Sequence, residues 1–392
     1  MKHNWTYKKL GEVVKCYRGL TYSKADEVPV SSKMVLRSNN IDLDTHALNF
    51  DEIKCVREDL PIADDRKLKK DSIFICMSNG SMQHLGKVAY VDKDYDYAFG
   101  GFMGLIVPNP QEVFPKYVYY SLLAPNFLAT ILREGRGANI NNLRFTDLEN
   151  YSLPMPAKDE QQAIVRELDG INRLIDLQEE QLREYDRLAK SLFYTTFGDP
   201  ATNPKGWEVK KYGDIFEISS GGTPSKKVSS YWKNGNIPWI GSNMCQNCVI
   251  YETDGKYITQ EGLNHSSAKL LPKNTVLVAL VGATIGKVAL LKTESSTNQN
   301  IAFVKPHKDF AAYFVYFHLM NQYDEFMNIG NGDFKMATQG FIKGLWIMCP
   351  PLALQQSFAA QIEAIEQQKA LVRRSLDETR TLLAARMQYY FE

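Results

Sequence analysis

Trp5-Thr-Tyr-Lys-Lys-Leu-Gly-Glu-Val13 returns as Trp207-Glu-Val-Lys-Lys-Tyr-Gly-Asp-Ile215, 202 residues further along the chain. Self-similarity at a long period marks a structural unit built more than once. Gly19-Leu-Thr-Tyr-Ser23 matches Gly221-Gly-Thr-Pro-Ser225 at the same offset, and Gly86-Lys-Val-Ala89 matches Gly286-Lys-Val-Ala289. The segment from Tyr117 to Leu122 matches that from Phe314 to Leu319, Gln161-Gln162 matches Gln355-Gln356, and Phe197 matches Phe391. The offset drifts only from 202 to 194 along this series. Matches that keep one order with a slowly drifting offset imply a duplication with small loop insertions. The chain therefore reads as long unit (1–155), short unit (156–199), long unit (200–352), short unit (353–392).

The short units read as helices. Ile164, Leu168, Ile171, Ile175, Leu182, Tyr185, Ala189 and Leu192 follow a 4-3 spacing broken by Gln178, and Phe358, Ile362, Ile365, Val372, Leu376, Thr379 and Leu383 follow it with a break at Lys369. A 3.5-residue period draws a narrow apolar seam, the signature of a coiled coil. Prolines close the preceding segments at Pro154 and Pro156 and at Pro350 and Pro351, and Gly198 with Pro200 stops the first helix. A helix from Asp159 to Phe197 is roughly 58 Å long at ~1.5 Å per residue. The two seams are expected to pack on each other, antiparallel, because an entire globular unit connects the helices.

The long units are mixed. Strand-like runs fall at 72–77 and 275–281, then 102–107 and 301–304; helix-like runs fall at 115–123 and 310–321. Loops rich in Gly, Asn, Ser and Thr separate them. The expected class is α+β: two similar mixed α/β domains joined by two long helices in an antiparallel coiled coil, with a pseudo-two-fold axis.

At 392 residues the chain suits two or three domains. Its net charge of +1 excludes a strongly basic coat for nucleic acid. That charge is uneven, with residues 156–199 at −4 and residues 200–352 at +4. The positive surplus thus sits where a phosphate surface is expected, and the acidic helix suits a protein partner. No window of ~18 apolar residues suits a membrane span, and the start lacks an apolar signal region. Six cysteines are too few for a disulfide scaffold. The expected location is the cytoplasm, with no membrane association.

Little in the sequence points to catalysis. Gly282-Ala-Thr-Ile-Gly-Lys287 is too short for a nucleotide-binding loop and lacks the hydroxyl that holds magnesium. Glu52-Ile-Lys54 and Asp65-Arg-Lys67 have a nuclease-like spacing that charged loops also produce, and Cys245-Gln-Asn-Cys248 is half a zinc site without its other half. No catalytic residue, metal site or cofactor is expected.

What recurs is a set of polar glycine loops. Gly221-Gly222-Thr223-Pro-Ser225-Lys226-Lys227 offers backbone N–H groups, hydroxyls and ammonium groups that suit a phosphate, and the first copy keeps Thr21, Ser23 and Lys24. A second pair of loops carries Asn79, Ser81 and Lys87 in one copy, and Thr284 and Lys287 in the other. Asn298-Gln299-Asn300 is an amide cluster suited to adenine. Arg37, Arg136 and Trp239 complete the candidate contacts to DNA. Residues 200–352 contain no arginine, so the two halves should prefer different sequences.

On these residues the chain resembles the specificity (S) subunits of type I restriction–modification enzymes. The resemblance rests on the Trp-x-x-x-x-Leu/Tyr-Gly starts, Gly-Gly-Thr-Pro-Ser225, the loop ending at Gly286-Lys287, Asn298-Gln299-Asn300, and Pro-Pro followed by Gln355-Gln356 ahead of a long helix. It implies a non-catalytic subunit whose two target recognition domains, 1–155 and 200–352, each grip half of a split site in double-stranded DNA. It further implies two helices that set the spacing and dock two methyltransferase (M) subunits, which restriction (R) subunits then join. Ile164, Leu168, Ile171, Leu182, Ile362, Ile365, Val372 and Leu376 are the helix positions it points to. The methyl donor and ATP would belong to the partners. Two other readings stay open at this point: a magnesium-dependent nuclease or transferase, and a coiled-coil adaptor without DNA binding.

Overall fold

A computed structural model describes residues 5–134, 142–329 and 335–392. Two compact units emerge, Met1–Glu179 with Ser375–Glu392, and Glu180–Arg374. Each unit thus owns one globular segment and part of both long helices, whereas the sequence reading set the helices, 156–199 and 353–392, apart as units of their own.

The first unit is built on Ile73–Cys76, whose four side chains are all buried. Successive side chains point to opposite faces of a strand, so this short run feeds two cores. Ile73 and Ile75 enter a core with Tyr117, Val118 and Leu168, while Phe74 and Cys76 enter one with Leu36 and Phe99. The sheet order is Val14–Arg18, Met103–Pro108, Ile73–Cys76, Val88–Tyr90, antiparallel throughout. Helix Pro115–Leu123 covers one face, its Pro115 preset for the first helical turn. A second sheet, ordered Glu27–Val28, Lys54–Val56, Met34–Leu36, Tyr97–Phe99, contributes Leu36 and Phe99 to the other core.

The second unit repeats the plan. Val276 and Val278 enter the helix-side core with Phe314 and Phe358, and Leu277 and Ala279 enter the opposite one with Ile240. The central sheet gains Cys248–Ile250 as a parallel edge strand beside Val288–Leu291. Helix Ala312–Met320 takes the place of Pro115–Leu123. Both units close on an antiparallel ladder, Thr6–Lys9 with Ser152–Met155 and Val209–Lys211 with Trp346–Met348.

The long helices are Lys158–Phe197 and Leu352–Phe391. Gly198 ends the first at φ 86°, a left-handed position that glycine adopts without strain. In the first unit Glu167 pairs with Arg386, and Gln178 donates to Ser375 at 2.8 Å. In the second, Lys369 meets Asp186 at 2.6 Å and Phe193 meets Phe358 at 5.8 Å between ring centres. Within each unit, rising numbers on one helix meet falling numbers on the other, so the pairing is antiparallel, as expected from the globular unit that connects the helices. Toward the globular segments the seam residues merge with the cores, Ile164 and Leu168 in the first unit and Ile362 in the second.

Candidate nucleic-acid interface

Three backbone segments meet at the same place in each unit. In the first, Leu20 N–H donates to Phe99 O at 2.6 Å and Gly100 N–H to Leu36 O at 2.9 Å. In the second, Gly222 N–H donates to Thr297 O at 2.8 Å and Asn298 N–H to Ile240 O at 3.1 Å. These bonds fix the correspondence: Gly100-Gly-Phe102 stands where the other unit has Asn298-Gln-Asn300, and Arg37 stands where it has Gly241.

Beside this junction each unit has an open cleft. The first measures about 880 Å³ and includes Thr21, Ser23, Lys24, Arg37, Asn79 and Phe102 in its wall. The second measures about 940 Å³ and includes Lys226, Lys233, Trp239, Lys256, Tyr257 and Asn298. Glu27 and Glu52 offset the cations of the first cleft, with Lys54 held 3.0 Å from Glu27. Among the described residues no carboxylate lines the second; Asp254 holds Lys256 at 2.6 Å from outside the wall, which leaves Lys226 and Lys233 to present the stronger field to a phosphate. Arg37 is anchored at its backbone, where its N–H donates to Asn40 Oδ1 at 2.8 Å. Asn79 donates to Ser38 Oγ at 2.9 Å and accepts from Ser81 N–H at 2.9 Å, which fixes its amide at the cleft wall.

Other expected contacts fall elsewhere. Lys87 is buried, with Nζ donating to Ile41 O at 2.7 Å, and burial pushes its ammonium below the ordinary lysine value. It secures a loop and offers nothing to a ligand. Gly222 is buried too: its N–H goes to Thr297, its carbonyl accepts from Trp239 Nε1 at 3.1 Å, and a Cβ there would sit 2.3 Å from Ser267 Oγ. The glycine is needed for close backbone packing, and the cradle of free N–H groups is not formed. Trp239 is largely buried as well, edge-on to Trp232 at 5.2 Å. Lys287 reaches Gln246 Oε1 at 2.7 Å, and Thr223 donates to Gln299. Ser225 and Lys227 are exposed next to Lys226; Thr284, Gln299 and Asn300 lie on neighbouring loops outside the cleft wall. Arg136 lies outside the described residues.

Of the helix positions expected to bind a partner, Ile164, Leu168, Ile362 and Leu376 are buried, and Ile171, Leu182, Ile365 and Val372 are half-buried. The seam faces the sister helix and the cores, so it is not free to meet another chain. Exposed leucines lie outside it: Leu177 (58%) and Leu382 (49%) in the first unit, Leu188 (52%) and Leu371 (59%) in the second. Leu177 and Leu371, like Leu188 and Leu382, are 194 residues apart, the offset of the helical repeat. Comparing the two helices off the seam would have found them. In the clefts the sequence reading missed Phe102, Lys233, Tyr257 and the pair Ser38-Asn39 with Ser242-Asn243. The repeat of Ser-Asn one residue after a strand, Leu36-Arg-Ser-Asn39 against Ile240-Gly-Ser-Asn243, was a usable signal.

The nuclease-like pairs do not assemble. Lys54 is turned to Glu27, Asp65 pairs with Arg66, and among the described residues no group of three His, Cys, Asp or Glu side chains is placed to hold a metal. Cys245 is buried, and burial raises both its thiol and that of Cys248. Among the described residues no helix is long and apolar enough to cross a membrane.

Known proteins agree with this architecture. The chain is 29% identical to the type I restriction enzyme EcoR124I/EcoR124II specificity subunit of Escherichia coli over 239 residues, 58% of this chain and 56% of that relative. The match thus spans little more than half of the relative's length. It is 21% identical to the type I restriction enzyme HindI specificity subunit of Haemophilus influenzae over 412 residues, 84% of this chain and 88% of that one. The crystal structure of a type I restriction–modification S subunit from M. genitalium shares the fold, with a TM-score of 0.57 over 99% of this chain and 96% of that one at 15% identity. The sequence profile of the type I restriction modification DNA specificity domain matches twice, over residues 2–185 and 204–379. Those two stretches are the duplicated halves first seen in the tryptophan motifs, and the chain belongs to the type I restriction modification DNA specificity domain family.

Proposed function

We propose that this chain is the non-catalytic specificity subunit of a type I restriction–modification complex, reading a bipartite site in double-stranded DNA with one cleft per unit. The observation that carries this is the twofold occurrence of one loop junction with different side chains on it. Arg37 and Gly100-Gly-Phe102 in one unit answer to Gly241 and Asn298-Gln-Asn300 in the other. A shared framework with exchanged side chains is what reading two different half-sites requires. Lys24, Lys226, Lys227 and Lys233 set the register on phosphates, while Arg37, Asn79 and Asn298 read base edges. Thr21, Ser23, Thr223 and Ser225 add hydroxyl contacts.

The paired helices act as the spacer, so the bases between half-sites go unread. The exposed leucines Leu177 and Leu382 of the first unit, and Leu188 and Leu371 of the second, are the docking positions, one pair for each of two methyltransferase subunits. Restriction subunits join through that assembly, which supplies the methyl donor and ATP. Such a complex works on cellular DNA, in the cytoplasm. The test is to copurify the chain with its methyltransferase and map the methylated adenines. A split motif supports this function, and methyl transfer by the chain alone contradicts it.

A further inference from the structure

We infer that Phe102 reads a thymine through its C5 methyl group, an assignment that rests on the DNA-reading function proposed above. Phe102 is 74% exposed, yet its backbone is fixed. Its carbonyl accepts from Met77 N–H at 2.9 Å and Ser78 N–H at 3.1 Å, and the turn closes through Met103 N–H on Gly100 O at 2.8 Å. Gly100 and Gly101 precede it without side chains, so the ring stands clear on the wall of the first cleft. Exposed aromatic rings are common enough singly, but this one shares its wall with Thr21, Ser23, Arg37 and Asn79.

Those neighbours choose the groove. Arginine and asparagine read guanine and adenine by paired hydrogen bonds on the major-groove edge, where all base pairs are distinguishable. A phenyl ring beside them has neither donor nor acceptor to offer. The apolar feature of that groove is the thymine methyl. In the second unit the corresponding residue is Asn300, behind Asn298 and Gln299, so one loop position is an apolar reader in one half and an amide in the other. The rigid turn adds to the effect, because little ordering is left to do on binding.

The experiment selects binders from a duplex library with a randomised interior, copied with either dTTP or dUTP, using the full-length chain in complex with its methyltransferase. Uracil removes the methyl and nothing else. The wild type is expected to select a thymine within one half-site, and dT→dU there to weaken binding about fourfold, the worth of one buried methyl. Phe102→Ala should weaken binding to the thymine duplex about as much and be indifferent to dU; Phe102→Leu should keep the thymine preference. Both variants change an exposed side chain, and matched melting curves confirm their folding. The assignment is overturned if every thymine tolerates uracil, or if Phe102→Ala stays sensitive to the same substitution, as it would if the ring wedged between base steps. Failure of the wild type to select any sequence would instead remove the DNA-reading function itself.

Discussion

Lys369 Nζ lies 2.7 Å from Glu366 Oε1 on the second long helix, and both side chains are only 9% exposed. Asp186 of the first helix approaches the same ammonium at 2.6 Å. Lys369 is the polar break in the second seam, and this triad is its partner set. Removing one partner of a buried pair strands a charge. Lys369→Ala should therefore destabilise the second unit by about 2–4 kcal/mol, while Lys369→Met with Glu366→Leu should recover most of the loss. Urea denaturation of the three proteins tests this.

The Gln-Gln motif has a job that its repeat hinted at. Gln161 accepts Phe114 N–H at 2.8 Å and donates to Pro156 O at 2.9 Å. Gln355 accepts Ala311 N–H at 3.0 Å and donates to Pro350 O at 2.8 Å. Each buried carboxamide ties the start of a long helix to the start of the domain helix beside it. Leucine at either position leaves a partly buried N–H without its partner, a cost of about 1–3 kcal/mol. Equal losses in thermal melting are expected for Gln161→Leu and Gln355→Leu.

His318 makes stability depend on pH. Met348 N–H donates to its Nε2 at 3.2 Å, which leaves Nδ1–H to donate to the Tyr212 hydroxyl at 3.1 Å. Complete burial holds the ring neutral and lowers its pKa from 6.5 to about 3. Between those values the unfolded chain binds a proton that the folded chain refuses. Stability should then fall as pH drops below ~6.5, by about 1.4 kcal/mol per pH unit from this group. Denaturation midpoints at pH 7 and pH 5 should show the drop, and His318→Gln should lack that contribution.

The second cleft should bind phosphates through its free lysines. Lys226→Ala with Lys233→Ala is expected to weaken binding evenly across DNA sequences and to flatten the slope of log affinity against log salt by about 1.8, at ~0.9 per phosphate contact. Titrations at several salt concentrations would read both.

Docking should follow the outer leucines. Leu177→Asp with Leu382→Asp should cost the complex one methyltransferase subunit and leave the other, with the mass of the assembly as the readout.

Much of this architecture was legible in the chain. The tryptophan motifs gave the duplication, and the apolar runs gave Ile73–Cys76 and Val276–Ala279 within one to two residues at each end. Helix Pro115–Leu123 fell where its pattern put it. The 4-3 seams predicted Lys158–Phe197 and its antiparallel partner, because helical periodicity survives without tertiary detail. The clefts were half legible. Thr21, Ser23, Lys24, Arg37, Asn79 and Asn298 line them, but Lys87 and Gly222 do not. A lysine next to a glycine looks alike in both copies, and only the fold decides that Lys87 meets Ile41 O while Lys287 meets Gln246. Likewise Gly222 reads as a free anion-binding turn until Ser267 closes over it. Phe102 escaped notice because aromatic residues default to the core, and nothing local marks the rare one held outside.

Methylation mapping with an Arg37→Ala variant separates the two clefts. Wild-type chain with its methyltransferase should yield a motif of two short specific blocks separated by unread bases, and Arg37→Ala should relax one position, a guanine, in one block only. A single contiguous motif, or relaxation of both blocks together, would contradict the account of two independent clefts.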